Sequence, residues 1–260
     1  MLICPVCGNP LVLEEKTWQC GRGHRFDMAR EGYVNLLRTN KSGDKMGDDK
    51  LAARSRRDLL NKGYYAPLKD GLLAYFQEKT GNLLDICCGE GYYTSAMATL
   101  PGLRVWGFDI SKEMVRLGAK RGGAGYFVAN MASIPVADGS FDYCTHLFAP
   151  FNEKEFCRVL KPGGKLLTVV PGRHHLWGLK EALYDTLYEN DENLPETETL
   201  RLLETRKISA TVTLQTPEDI EAVFHMTPYY FRTSPTDKAK LNGLQTLETP
   251  IEFVIGTYIK

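Results

Sequence analysis

The chain has no long apolar run, no excess of either charge and no paired set of cysteines. No apolar stretch in its 260 residues approaches the length of a bilayer span, and the N-terminus has no signal-peptide pattern. Lys plus Arg and Asp plus Glu each total 32, so the basic excess common in nucleic-acid binders is missing. The seven cysteines are an odd number at spacings unlike a disulfide framework. These absences predict a reduced, cytoplasmic protein without a membrane span.

Three regions of the chain differ in composition and in their pattern of apolar residues. Residues 1–37 hold several Cys and His residues among turn formers and show little periodic hydrophobicity, which predicts a small zinc-binding module. Residues 38–50 are polar and rich in Gly, Asp and Lys, as expected of a linker. From residue 51 to 260, short apolar runs alternate with helical periods, which predicts one large domain.

The alternation within residues 51–260 predicts the fold class. Strands are predicted at 83–87, 104–110, 124–129, 141–148, 165–170, 207–214 and 250–259. Helices are predicted at 51–61, 66–79, 92–99, from 111, at 152–160, 175–189 and 216–226. Strands that alternate with helices form parallel βαβ units, so we expect a Rossmann-like, doubly wound α/β sheet of about seven strands.

Four residues of the N-terminal module have the spacing of zinc ligands. Cys4 and Cys7 are two residues apart around Pro5, and Cys20 and His24 follow with glycines between them. Two such pairs can close a tetrahedral site with no open position, which favours a structural zinc over a catalytic one. The alternative is scattered core cysteines and a solvated histidine, but so short a module has no adequate core without a metal or disulfides.

A glycine-rich turn begins the predicted ligand site of the large domain. An apolar strand ends at Asp85 and turns through Gly89 and Gly91 into a helix, so backbone can approach a ligand closely. Asp109 ends the next strand, where a carboxylate can accept hydrogen bonds from both ribose hydroxyls. Asn130-Met131 ends the following strand, where a polar group would lie beside an adenine edge. Nicotinamide and nucleotide proteins share such a turn, so alone it is weak evidence.

The order of motifs distinguishes between these classes of ligand-binding protein. D-x-x-x-G-E-G, N-M-x-x-I-P, G-S-F-D and L-K-P-G-G occur in succession between residues 85 and 164. This order resembles the class I S-adenosylmethionine methyltransferases, whereas the last two motifs are not expected of a dinucleotide oxidoreductase. The family usually has Gly where Cys87 stands. Burial as small apolar residues is the favoured interpretation of Cys87 and Cys88.

A narrower resemblance covers nearly the whole chain. The segments CPVCGNPL, WQCGRGHRFDMAREGYVNLL, GYYAPL, DICCGEGYYT, PGRHHLWGLK and HMTPYYFR resemble the RlmA family of 23S rRNA (guanine-N1)-methyltransferases with an N-terminal zinc ribbon. The resemblance implies a guanine in a hairpin loop of 23S ribosomal RNA as target, and S-adenosylmethionine and structural Zn²⁺ as cofactors. The implied zinc ligands are Cys4, Cys7, Cys20 and His24, and the implied donor contacts are Tyr65, Gly89, Glu90 and His175.

Some of these residues also have ordinary structural interpretations. Tyr65 could be one face of an amphipathic helix, and His175 could face solvent at a helix start, with His174 the functional residue instead. The segment 226–231 could be core, although Pro228 after a helix suggests a wall presented to substrate.

Methyl transfer to guanine N1 must also remove a proton. The candidates for the general base are His146, His174 and His175. Phe148-Ala149-Pro150-Phe151 is predicted to form the pocket wall, with Phe148 and Phe151 stacking on the base. The predicted phosphate contacts, which a solvated helix face would also explain, are Lys41, Lys45, Lys50, Arg54, Arg56 and Arg57.

Two other functions compete with rRNA methylation. One is a methyltransferase acting on a small metabolite, and the other is a non-catalytic zinc-ribbon binding protein, prompted by Cys87 in place of Gly. A homodimer that clamps an RNA stem is a further hypothesis without a supporting motif.

Overall fold

A computed structural model describes the backbone of residues 1–38 and 50–260, and the side chains of 1–38 and 53–260. The N-terminal residues form a three-stranded antiparallel sheet with β2 in the middle. Its strands are β1 (Leu11–Glu14), β2 (Thr17–Cys20) and β3 (Arg25–Asp27). We call residues 1–32 of this unit the ribbon.

The second sheet has eight strands and confirms the predicted α/β class. Its strands are β4 (Tyr33–Asn35), β5 (Gly81–Ile86), β6 (Leu103–Asp109), β7 (Gly125–Val128), β8 (Phe141–Leu147), β9 (Leu160–Pro171), β10 (Arg201–Leu214) and β11 (Leu247–Ile259). They lie in the order β10-β11-β9-β8-β5-β6-β7-β4. Strands β4 to β9 are parallel, whereas β11 is antiparallel to β9, and β10 to β11.

Helices cover both faces of this sheet. They are α1 (Lys50–Asn61), α2 (Ala66–Phe76), α3 (Tyr92–Met97), α4 (Lys112–Arg121), α5 (Glu153–Val159), α6 (Trp177–Leu183), α7 (Pro217–His225) and α8 (Pro235–Ala239). Successive strand residues point to opposite faces. Accordingly Leu83 packs with α2, α6 and α7, whereas Leu84 packs with α5 and the ribbon.

The topology places a crevice at the carboxyl ends of β5 and β8. Strand β5 is central, with β6 on one side and β8 on the other, so the order of strands reverses there. Ligands of doubly wound sheets bind at such a switch point. The residues that follow β5, β6 and β7 therefore meet at one edge of the sheet.

The eighth strand, β4, is one more than the sequence predicted. It lies parallel to β7, with Tyr33 opposite Tyr126, and Leu36 N donates to Val128 O at 2.9 Å. Three residues are too short for periodicity to reveal a strand. The ribbon also contacts the large domain at Ile3, whose N donates to Pro135 O at 2.9 Å. The domain division at residue 37 remains a prediction, and most of the predicted linker, 38–50, lies outside the described residues.

The predicted helix at 175–189 is shorter in the structure. Helix α6 ends at Leu183, and an irregular segment runs from Tyr184 to Thr199. The Lys180 ammonium donates to Tyr188 O at 2.8 Å, a contact that holds this segment against the helix. Helix α8 was not predicted. No helix in the described part of the chain is long and apolar enough to cross a membrane.

Candidate functional site

The four predicted zinc ligands come together in the ribbon. Their ligand atoms all lie within 4.8 Å of one another. The Cys7 and Cys20 sulfurs are 3.7 Å apart, and His24 Nδ1 lies 3.5 Å from Cys4 Sγ and 3.4 Å from Cys20 Sγ. Thiolates about 2.3 Å from a tetrahedral zinc ion are about 3.8 Å apart, so this spacing fits one ion. Three thiolates and one imidazole fill the tetrahedron, as expected for a structural site.

Left-handed glycines form the two turns that carry these ligands. Gly8 has φ 74° and its N donates to Cys4 O, while Gly23 has φ 83° and its N donates to Cys20 O. Residues with a Cβ rarely adopt this conformation. The sequence therefore shapes the metal clamp through its turns as well as through its ligands.

Asp85 supports the glycine-rich turn from within the protein. Its side chain is 2% exposed, and its two oxygens accept hydrogen bonds from the hydroxyls of Thr94 in α3 and Thr145 in β8. Burial raises the pKa of Asp85 to about 6, against the effect of the two hydroxyls. Asp85 was predicted to bind the cofactor, but in the structure it joins β5 to α3 and β8 beneath the turn.

The turn itself leaves space for a ligand on one side. Gly89 has φ 55°, and a Cβ there would meet no atom within 4 Å. Gly91 has φ 78°, and its Cβ would lie 2.8 Å from Gly118 Cα, so only glycine fits. Gly89 N donates to Asp109 Oδ2 at 3.0 Å, which places the Asp109 carboxylate beside this opening.

The other predicted donor residues lie at the same edge. Asp109 Oδ1 accepts from Ser111 N at 2.9 Å, and the carboxylate is half-buried. Asn130 is exposed and its Oδ1 accepts from Ala132 N, while Met131 Sδ lies 3.8 Å from Cys87 Sγ. An open glycine turn, a carboxylate at the end of the next strand and a polar residue beside a thioether match the kinds of groups that S-adenosylmethionine would need.

Neither adjacent cysteine is suited to act as a nucleophile. Cys87 has φ 56°, a conformation that favours glycine, and burial raises its pKa to about 12. Burial also raises the pKa of the Cys88 thiol. Both remain protonated at neutral pH, and a thiol is a weak nucleophile. Both side chains are half-buried, less than the full burial that the sequence interpretation expects.

Tyr65 and His175, which are distant in sequence, are in contact. Tyr65 Oη lies 3.3 Å from His175 Nε2, and Glu252 N donates to His175 Nδ1 at 3.1 Å. A ring nitrogen that accepts from a backbone amide carries no proton, so Nε2 of the neutral ring carries it and donates to Tyr65. The Tyr65 hydroxyl proton is then available to a ligand. Burial lowers the pKa of His175 to about 4 and raises that of Tyr65.

Glu90 is buried beside the same turn. Its Oε2 accepts from Arg121 Nε at 2.6 Å, while Oε1 has no hydrogen-bond partner among the described residues. Burial raises the pKa of Glu90, and the Arg121 guanidinium opposes this shift. Arg121 also donates to Asn61 Oδ1, so this ion pair joins the glycine-rich turn after β5 to α1.

Of the two aromatic rings in the predicted pocket wall, one is exposed and the other packs inside the protein. Phe148 has φ 55° and is 46% exposed, with its ring 5.7 Å from that of Phe253. Phe151 packs instead against His146 and Phe156. Of the two, only Phe148 presents a large surface to a ligand.

His146 fixes the loop that carries this wall. Its Nε2 lies 2.9 Å from Pro150 O and its Nδ1 2.9 Å from Thr168 Oγ1. Burial lowers the pKa of this ring. Because both nitrogens are engaged within the protein, the geometry favours a structural role over that of general base. His174 is exposed, and its Nε2 lies 3.4 Å from Glu189 Oε1.

Sequence reasoning missed a buried lysine behind His175. Lys180 is fully buried, and its ammonium donates to Asn190 Oδ1 at 2.7 Å. Asn190 Nδ2 in turn donates to Gly172 O and His175 O, which holds the turn carrying His175. A lysine in an amphipathic helix gives no sequence signal for such a role.

Comparison with known proteins gives two matches to family models. Residues 2–43 match the RlmA N-terminal zinc ribbon, and residues 83–164 match a methyltransferase domain. A 23S rRNA (guanine(748)-N(1))-methyltransferase of Streptomyces fradiae is 37% identical over 70% of this chain and 67% of that protein. Two proteins provisionally named 23S rRNA (guanine-N(1)-)-methyltransferases also match. The Bacillus subtilis (strain 168) protein is 34% identical over 71% of this chain and 69% of its own length. The Micromonospora griseorubida protein is 32% identical over 70% of this chain and 69% of its own length.

Proposed function

This chain belongs to the RlmA family of 23S rRNA (guanine-N1)-methyltransferases, and we propose on that premise that it methylates N1 of a guanine in a hairpin loop of 23S ribosomal RNA. It is an S-adenosylmethionine-dependent enzyme with a structural zinc ion. The observation that carries the proposal is the opening at Gly89 beside the Asp109 carboxylate, at the switch point of the sheet. The cytoplasm, where ribosomal RNA is found, is the proposed location.

The residues of the crevice bind and orient the donor. S-Adenosylmethionine, when bound, supplies a methyl group activated by a sulfonium. The Asp109 carboxylate would accept hydrogen bonds from the ribose, and Gly89 would let the backbone approach the donor. Tyr65 would donate a hydrogen bond from its hydroxyl to the bound donor, while His175 holds that hydroxyl in place. Alignment of the two reacting atoms supplies most of the rate enhancement, since in-line displacement needs no covalent help.

Phe148 is the residue we propose to stack on the target guanine. Its ring is exposed at the end of β8, the strand next to β5 in the switch point. The N1 proton must also leave, and of the three predicted histidines only His174 has an exposed ring. His174 or a water molecule beside it is therefore the proposed route for the proton.

RNA contacts are proposed for the ribbon and for helix α1. Arg54 is exposed and Arg56 and Arg57 are half-buried. Lys41 and Lys45 lie outside the described residues, as does the side chain of Lys50. Deleting residues 1–37 would remove β4 from the large sheet, so truncation is not a clean test of RNA binding. A homodimer that clamps the RNA remains a prediction, which sedimentation of the purified protein tests.

Methyl transfer from labelled S-adenosylmethionine to unmodified 23S RNA tests the proposal directly. We expect incorporation into 23S RNA and none into a metabolite extract. Phe148→Ala should reduce methylation by about 5- to 150-fold while leaving donor affinity unchanged, because base stacking is worth about 1–3 kcal/mol. Leu203→Ala, an exposed apolar residue on β10, is the matched control. Incorporation into metabolites alone would identify a small-molecule enzyme instead.

A further inference from the structure

An exposed aromatic ring lies in the turn between α7 and α8. The side chain of Phe231 is 84% exposed, more than any other large apolar residue in the described chain. Burial of an aromatic ring is favourable, so this exposure leaves binding energy unused within the isolated protein.

The backbone and the neighbouring rings hold Phe231 firmly. Its ring and that of Tyr230 form an edge-to-face pair at a centroid distance of 5.3 Å and an angle of 81°, while most of the Phe231 side chain stays exposed. Tyr230 in turn packs against His225 at 4.1 Å and Phe224 at 5.3 Å. Amide groups of the next two residues both donate to Tyr229 O at 2.9 Å. The ring is thus presented on a rigid support.

Two cationic residues adjoin the Tyr230-Phe231 pair: Arg232 follows it in sequence, and Lys238 lies over the Tyr230 ring. Arg232 is exposed and forms no ion pair with any described side chain, and Lys238 Nζ lies 4.0 Å from the centre of the Tyr230 ring. The nearby Asp237 carboxylate is engaged by Lys240 Nζ at 3.0 Å and by Ser234. A partner that fits this surface has a flat aromatic face and negative charge.

The surface is connected to the donor site by two hydrogen bonds. Tyr229 Oη donates to Asn190 Oδ1 at 2.7 Å, and Asn190 Nδ2 donates to His175 O at 2.9 Å. Phe231 is two residues from Tyr229, so the ring lies on the His175 side of the sheet.

We propose that Phe231, Arg232 and Lys238 form a platform for an unpaired nucleotide next to the target guanine. The base stacks on Phe231, and the phosphate contacts the two cations. This assignment rests on the proposed RNA substrate. It places a second stacking ring apart from Phe148, as a sequence-tolerant contact that positions the RNA.

RNA affinity of the full-length, zinc-loaded protein tests the platform. One probe is the 23S RNA used for methylation, and the other is a labelled oligouridine of roughly twelve nucleotides, within the usual site size for single strands. Phe231→Ala should weaken binding of both by about 5- to 150-fold, and Phe231→Trp should restore it. Leu202→Ala, another exposed apolar residue, should bind as the parent protein does. Arg232→Gln should lower the dependence of log affinity on log salt by about one.

Four results separate the platform from its alternatives. Melting temperature and donor affinity should be unchanged in Phe231→Ala, because the ring is exposed and its ring contact among the described residues is with Tyr230. Parent-like RNA affinity in Phe231→Ala overturns the platform while methylation of 23S RNA by the parent still stands. A change of oligomeric state in Phe231→Ala would show that the ring binds a second copy of the chain, which also overturns it. If the parent fails to methylate 23S RNA, the proposed function fails, and oligouridine still tests the surface.

Discussion

Neutral His175 should make the stability of the protein depend on pH below 6.5. Burial, reinforced by the Lys180 charge, lowers its pKa from 6.5 to about 4. The folded state therefore binds fewer protons than the unfolded state between these values, and stability falls as pH falls. The stabilisation that the neutral His175 ring contributes is fully present above pH 6.5. At pH 4.5 the loss is about 2.5 kcal/mol, since each tenfold change in proton affinity is worth about 1.4 kcal/mol.

Urea denaturation of the parent protein and His175→Asn at pH 7.5 and 4.5 measures this effect. Lost contacts destabilise the variant equally at both values, so the change between them isolates the titration. We expect the parent to lose about 2.5 kcal/mol more than the variant over this range. Asp85 titrates in both proteins, so its contribution cancels. His174→Asn, which alters an exposed neighbouring ring, should follow the parent. Parallel curves for the parent and His175→Asn would refute the neutral, buried imidazole.

Three further predictions concern the metal, the donor turn and the lysine behind it. One zinc per chain should be found by elemental analysis, and Cys7→Ser should lose it and leave the first 38 residues sensitive to protease. In Cys87→Gly the free energy of unfolding, measured by urea denaturation, should stay within about 1 kcal/mol of the parent value, and the variant should bind the donor. The reason is that residue 87 has a left-handed backbone, a conformation that costs any residue with a side chain about 1–2 kcal/mol and costs glycine little. Cys87→Val should clearly destabilise the protein, because a branched side chain fits a left-handed backbone poorly. Equal stability of Cys87→Gly and Cys87→Val would contradict backbone strain at residue 87. Lys180→Met should lower donor affinity about tenfold by calorimetry as the His175 turn loosens, whereas unchanged affinity excludes that role.

Periodicity and turn residues predicted most of the fold because they act locally. Ser111 was expected to begin a helix, and its Oγ accepts from Met114 N at the start of α4. The glycine turn after β5 and the acid after β6 were likewise placed correctly, because Gly89 and Asp109 are joined by a hydrogen bond. Local sequence is sufficient where a cap or a left-handed glycine determines the backbone.

The features that were missed depend on contacts between distant residues. Strand β4 exists only because β7 offers an edge, and helix α6 ends early because Lys180 binds the segment that follows. Sequence alone also could not show that Asp85 points into the protein, because its partners Thr94 and Thr145 lie on other elements. Of the three candidate histidines, tertiary hydrogen bonds alone distinguish His146 from the exposed His174.

Primer extension on 23S ribosomal RNA from cells with and without this gene tests the central claim most directly. A methyl group at guanine N1 blocks base pairing and stops reverse transcriptase. We predict one strong stop at a hairpin-loop guanine in the parent cells, its loss in the deletion, and its return when the purified enzyme and S-adenosylmethionine are added to the unmodified RNA. Identical extension patterns in both strains, with no stop created by the enzyme in vitro, would contradict the account.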